Sequence, residues 1–299
     1  MDETTLETAD FNARHWTFST PGPIKPGGQA HYEMFTQLLS ATYNPYKPAV
    51  LDWPKLDPET LKRITSLPIW DIAVQTENKA GARIAFYAQT VPQKELRDAL
   101  IHMAGEERRH RDVLARLVAA YDIPVQPDAE YVLPNDAEWG FLVTGYSECI
   151  DSFFAYGLFE LARRSGFFPA DLVETFEPVM QEEARHILFF TNFIAWKRAT
   201  MPLWKRPFFE AKVAAVYAYL IWERIGIAKD VDGLEGADAN FTMNGSQAIS
   251  DEMDPAKLID ICLVQDKLRM EGYDPRLIRP TTTPFLARLA RLFIRPKKN

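Results

Sequence analysis

Glu107 and His110 in "GEERRHRDVL" and Glu183 and His186 in "QEEARHILFF" are the residues with the clearest chemistry, because the chain has only five histidines. Two of those five stand three residues after a glutamate. Positions three apart on a helix share one face about a turn apart, so a carboxylate oxygen and an imidazole nitrogen can meet on a single metal ion. Each couple interrupts an apolar stripe. In one helix Leu96, Leu100, Met103, Leu114 and Leu117 flank Glu107 and His110 at steps of three and four; in the other, Leu172, Phe176, Val179, Phe190 and Phe193 flank Glu183 and His186. Such a stripe faces a core, where an unpaired carboxylate costs several kcal/mol, so something must compensate it.

A site for two metals needs two further carboxylates, and hairpin geometry says where to look. Facing residues of an antiparallel helix pair lie equally far from the turn. A first turn centred on Pro92 places Glu77 opposite Glu107, in a stripe with Trp70, Ala73, Ala80 and Ile84. A second turn at Ser165 and Gly166 places Glu148 opposite Glu183, in a stripe with Phe141, Gly145, Ala155 and Phe159. Glu160 would need its turn at Asp171, which reads better as the start of the next helix, and is set aside. Asp151, one turn from Glu148, stays open as the ligand or as an acceptor for an imidazole N–H. The candidate ligand set is Glu77, Glu107, His110, Glu148, Glu183 and His186, and its four carboxylates balance two divalent cations.

Glu106 and Glu182 point about 100° away from the ligand face. They are expected to be solvated or to back the ligands, and Arg108, Arg109 and Arg111 to form an exposed face. His15, His31 and His102 match no ligand pattern. The plainer alternative is a metal-free helical interaction protein whose two Glu and His couples are buried hydrogen-bonded pairs or ordinary surface pairs.

The elements that must position these residues are helices. Long helix-compatible runs are broken at "TVPQ", "YDIPVQPDAEYVLPND", "RRSGFFPAD" and "ATMPLW", which predicts helices near 69–90, 93–121, 137–164, 170–198 and 206–228, with another near 255–271. The fold class is all-α. Residues 1–65 read as a proline-rich arm with one short helix at "QAHYEMFTQLLS", residues 66–200 as a four-helix bundle of two stacked hairpins, and 201–299 as a helical extension packed on it. A loop is expected over 229–247. The tail "FLARLARLFIR" alternates apolar and basic residues; it suits a helix docked on the protein's own body or on a subunit better than one lying on a membrane.

At this point the sequence resembles the ferritin-like di-iron carboxylate superfamily. The resemblance covers roughly residues 69–198 and rests on "TENKAG", "GEERRH", "YSECID" and "EEARH". It implies two iron ions, with manganese suited to the same ligands, and reaction of the reduced centre with O2 or peroxide. The chain lacks the cysteine cluster of a classical rubrerythrin, is longer at both ends than a ferritin subunit, and has Leu114 where a ribonucleotide reductase radical subunit usually has tyrosine. The reading that remains is an oxidase or monooxygenase acting on a small organic molecule, apolar ones included, with electrons from an external donor. Aromatics such as Phe153, Phe154, Phe159, Phe189 and Phe190 are expected in the core, with some available to line a substrate channel. An iron-handling ferroxidase or a peroxide-reducing protein uses the same site and is the alternative.

Composition agrees with that class. A net charge of -7 gives no concentrated positive face for nucleic acid. Cys149 and Cys262 are too far apart in sequence for a metal knuckle and offer no disulfide framework, so a reducing cytoplasm is expected. The acidic start "MDETTLETADFN" does not read as a signal peptide. "EAKVAAVYAYLIWERIGIAKD" is barely long enough to span a membrane and carries charges near its ends, so it is expected to pack as a helix. A homodimer is compatible with all of this.

Overall fold

A computed structural model describes residues 3–47, 53–67, 70–125, 131–231 and 254–294, without the side chains of residues 71, 72 and 224–231. Helices α1 (Glu3–Arg14), α2 (Gln29–Ala41) and α3 (Pro58–Thr65) precede four long ones: α4 (Trp70–Ala88), α5 (Lys94–Ala120), α6 (Ala137–Ser165) and α7 (Ala170–Thr200). After a single 3-10 turn at Leu203–Lys205 come α8 (Arg206–Val231), α9 (Pro255–Met270) and α10 (Thr282–Phe293). Among the described residues there is no strand, only a parallel bridge between Trp16 and Tyr273. Of the loop expected over 229–247, residues 229–231 instead continue α8, and the rest lies outside the described residues.

The helix boundaries follow local chemistry. Asp136 caps α6 by accepting from Trp139 N–H, Gly166 closes it in the left-handed region, and Pro169 restarts the chain as α7. Two differences from the sequence reading fall before residue 66. α1 and α3 are helical although that segment is rich in proline, and for α3 the signal was present: Asp57 accepts from the N–H groups of Glu59 and Thr60, with Pro58 at the first helical position. α2 is also more than part of an arm. It packs on α5 and α7 and buries Met34, Phe35, Leu38 and Leu39 completely.

α4 runs along α5 and α6, and α6 along α7, with a thinner contact between α5 and α7. Two apolar clusters fill the space between them. Met103, Ala104, Ile84 and Ile187 belong to one; Val74, Leu117, Val118 and Leu172 belong to the other. On α4, α5 and α7 the candidate ligands fall between members of the two clusters, so the charged layer is sandwiched in apolar packing. Phe189, Phe190 and Phe193 are buried in the first cluster, and Phe153 in a third formed with α9 and α10.

α8 rests on α6, and α9 lies on α6 and α7. α10 docks on α9 and α6 through Ala287, with Arg291 paired to Asp260. Its larger apolar residues, Phe285, Leu286, Leu289, Leu292 and Phe293, remain exposed. No helix among the described residues is long and apolar enough to cross a membrane.

Candidate metal centre

The four long helices bring the six predicted ligands together. Glu77, Glu107, His110 and Glu183 form one group and Glu107, Glu148, Glu183 and His186 a second, each with one ligand atom per residue lying within 4.8 Å of the others. Glu107 and Glu183 belong to both. The imidazole centroids of His110 and His186 are 5.7 Å apart. Glu107, His110, Glu183 and His186 are buried, Glu77 and Glu148 are partly buried, and the Glu77 side chain is 21% exposed.

Both imidazoles turn Nδ1 toward this cluster. His110 Nδ1 lies 2.9 Å from Glu183 Oε1 and His186 Nδ1 lies 2.8 Å from Glu107 Oε1, but neither contact has hydrogen-bond geometry. Both oxygens of Glu148 are likewise buried without a partner. Orphaned acceptors aimed at one another are costly unless a cation lies among them. The oxygen and imidazole donors suit iron or manganese, so the residues present fit a pair of divalent metals.

The electrostatics describe the same conflict. Burial, reinforced by the charges of Glu183 and Glu77, pushes the Glu107 carboxyl well above the usual carboxylate range. Burial and the charges of Glu107 and Glu183 do the same to Glu148. Glu183 moves down, because contact with His110 and the charges of both imidazoles outweigh its burial. For His110, burial is outweighed by Glu182, Glu183 and Glu77, which hold it well above the usual imidazole range.

The six candidate ligands lie together, and of the two settings expected for Glu106 and Glu182, solvated or backing the ligand face, the structure shows the second. Asp151, kept open as a partner for an imidazole or as a ligand, is exposed and accepts from Ser147 Oγ at 2.7 Å. The partners are Glu106 and Glu182. His186 Nε2–H donates to Glu106 Oε2 at 2.7 Å and His110 Nε2–H to Glu182 Oε2 at 2.8 Å. Each bond crosses between α5 and α7: the glutamate before one shared ligand holds the histidine of the opposite helix. These bonds fix Nε2 as the donor and leave Nδ1 for the centre.

Neither glutamate is solvated; they are 1% and 3% exposed. Arg185, completely buried, lies 3.0 Å from Glu106 and 3.3 Å from Glu182 and donates to Thr42 O and Oγ1. Arg185 leads His102 and His186 in holding the Glu106 carboxyl well below the usual range against its burial. Arg109, expected on an exposed face, donates to Glu182 at 2.9 Å and covers the Tyr43 ring. His102 lies 3.3 Å from Glu106. His31 is buried away from the cluster, bonded to Gly27 and Asn192, and Glu160 is held by Arg163 and Arg164. The sequence did carry a signal for the outer acids: in both motifs the ligand glutamate directly follows another glutamate.

Two glycines allow the helices to close on this layer. A Cβ at Gly81 would lie 3.2 Å from Glu107 Cβ and 3.3 Å from Ala104 O, and a Cβ at Gly145, one turn before Glu148, would fall 2.1 Å from the Phe190 ring. Compared with protein-family models, with curated proteins and with solved structures, the chain finds no match, so the functional reading rests on this geometry and on the motifs that build it.

Proposed function

We propose that α4–α7 form a ferritin-like four-helix bundle holding two iron ions, and that the protein is an oxidoreductase that activates O2 to oxidise or hydroxylate a small organic molecule. The observation that carries this reading is the pair of four-residue ligand groups sharing Glu107 and Glu183. Shared carboxylates are suited to bridging two cations, with Glu77 and His110 completing one end and Glu148 and His186 the other. A reduced metal pair bound there supplies electrons to O2. Manganese fits the same donors.

The chain's own residues set the conditions. Glu106 and Glu182 orient the imidazoles, Arg185 and Arg109 balance their charge, and the apolar clusters above and below exclude bulk water. Approach past Glu77, whose side chain is 21% exposed, suits small molecules. Electrons beyond those of one turnover come from an external donor.

Metal quantification after iron loading, with optical spectra of the anaerobically reduced protein before and after O2, tests both site and reactivity. The expected result is about two irons per chain and a spectral change on oxygenation. An iron-loaded sample that retains no transition metal would sink the proposal.

A further inference from the structure

From Val213 to Trp222 α8 carries no charged residue. Its inner row, Phe209, Val213, Val216 and Leu220, is buried on the body of the protein. Its outer row, Phe208, Ala211, Ala215, Ala218 and Trp222, steps by three and four along the helix and is exposed, with Trp204 one turn before it. Trp204, Phe208 and Trp222 are 67%, 73% and 70% exposed. A stretch apolar all round belongs in a buried position, and here only one face of it is covered.

We propose that this outer face binds the same face of a second copy, α8 antiparallel to α8, with the two-fold axis at the level of Val213. The three-four spacing is that of helices packed side by side. The antiparallel register sets Phe208 against Ala218 of the second copy, Ala211 against Ala215, and Trp204 against Trp222. The alanines beside the axis let the two backbones approach closely, Phe208 packs over the small Ala218, and the two tryptophans close each end.

Charge selects the same direction. Antiparallel pairing brings Lys205 of one copy near Glu223 of the other, whereas parallel pairing stacks Lys205 on Lys205 and Glu223 on Glu223. The area is sufficient as well. With about 150–250 Å² for a whole aromatic side chain, the three exposed rings, Leu203, Ile221 and the alanines offer on the order of 700 Å² per copy, near the ~800 Å² per partner of a stable interface. A membrane surface would gain little from the alanine centre, which has little apolar bulk to insert.

Sedimentation velocity of the full chain tests the proposal, with twice the 34.2 kDa chain mass expected. Phe208→Glu should weaken association at least about 100-fold while leaving far-UV circular dichroism and bound metal unchanged. Register is read by mild oxidation of Phe208→Cys and Ala218→Cys chains: a mixture should crosslink and neither variant alone should, the native Cys149 and Cys262 being buried. A wild-type monomer at about 100 µM would overturn the proposal, whether the face binds phosphatidylglycerol vesicles or is covered by the chain's own residues 232–253. A dimer that survives Phe208→Glu, or Phe208→Cys chains that crosslink with one another, would overturn it equally.

Discussion

Glu106 and Glu107 are neighbours with different tasks, and that difference is measurable. Glu107→Ala or Glu183→Ala removes a ligand common to both groups and should abolish occupancy of the metal pair. Glu106→Ala or Glu182→Ala leaves every ligand in place but frees an imidazole, and should weaken metal binding by about 10–100-fold. Asp151→Asn, altering an exposed residue bonded to Ser147, should leave occupancy unchanged. Metal titrations of the five variants check the series; equal loss from all of them would refute the separation of ligand and support. Arg185→Met leaves two buried carboxylates short of their cation and should cost about 3–5 kcal/mol, read from urea unfolding of the metal-free protein. The cluster of candidate ligands was legible in the sequence because these residues interrupt apolar stripes in one register. For Glu106 and Glu182 the sequence left two settings open, and Arg185 was not legible, because a stripe argument does not show which residues off the core face are covered. At this level α5 and α7 are covered on more than one side, and α2 lies over both.

At the scale of elements, the long helices were legible because proline and glycine break the runs and the apolar period persists between them. α3 was obscured by the prolines around it, although Asp57 and Pro58 form an ordinary helix start. Close approach between helices was not legible, since it depends on what faces each glycine. Gly145→Ala should displace the Phe190 ring, cost about 1–3 kcal/mol and lower metal occupancy by shifting α6 beside Glu148. Thermal unfolding and metal analysis of the variant check both effects.

Three elements meet at Glu177 on α7, whose carboxylate receives Arg14 from α1 at 2.9 Å and Arg269 from α9 at 2.8 Å. Its burial is outweighed by Arg269 and Arg14, which hold the carboxyl below the usual range in the folded protein. A depressed folded value means that the stabilisation is complete above the ordinary carboxylate range and is lost as pH falls through the depressed value. Glu177→Gln should therefore remove about 1 kcal/mol near neutrality and flatten the acid limb of the stability profile, measured by urea midpoints from about pH 7 to about pH 3.

For the whole molecule, the proposed iron chemistry divides on whether this layer would oxidise iron as cargo or keep two irons as a cofactor. The ligand groups share two carboxylates and are enclosed between apolar clusters, an arrangement suited to retaining a pair of ions. The helices outside α4–α7 also depart from a compact storage subunit: α2 covers α5 and α7, while α8 and α9 cover α6. Storage requires oxidised iron to leave the centre continually and accumulate elsewhere. A cofactor pair should bind, consume O2 in a limited burst and stop until substrate and reductant are added. Aerobic titration with Fe(II), following O2 uptake and protein-bound iron together against a protein-free control, separates the two. The expected outcome is retention of about two irons per chain with no ferric mineral. Sustained oxidation with many irons held per chain would replace the oxygenase reading with iron handling while leaving the six-ligand centre in place.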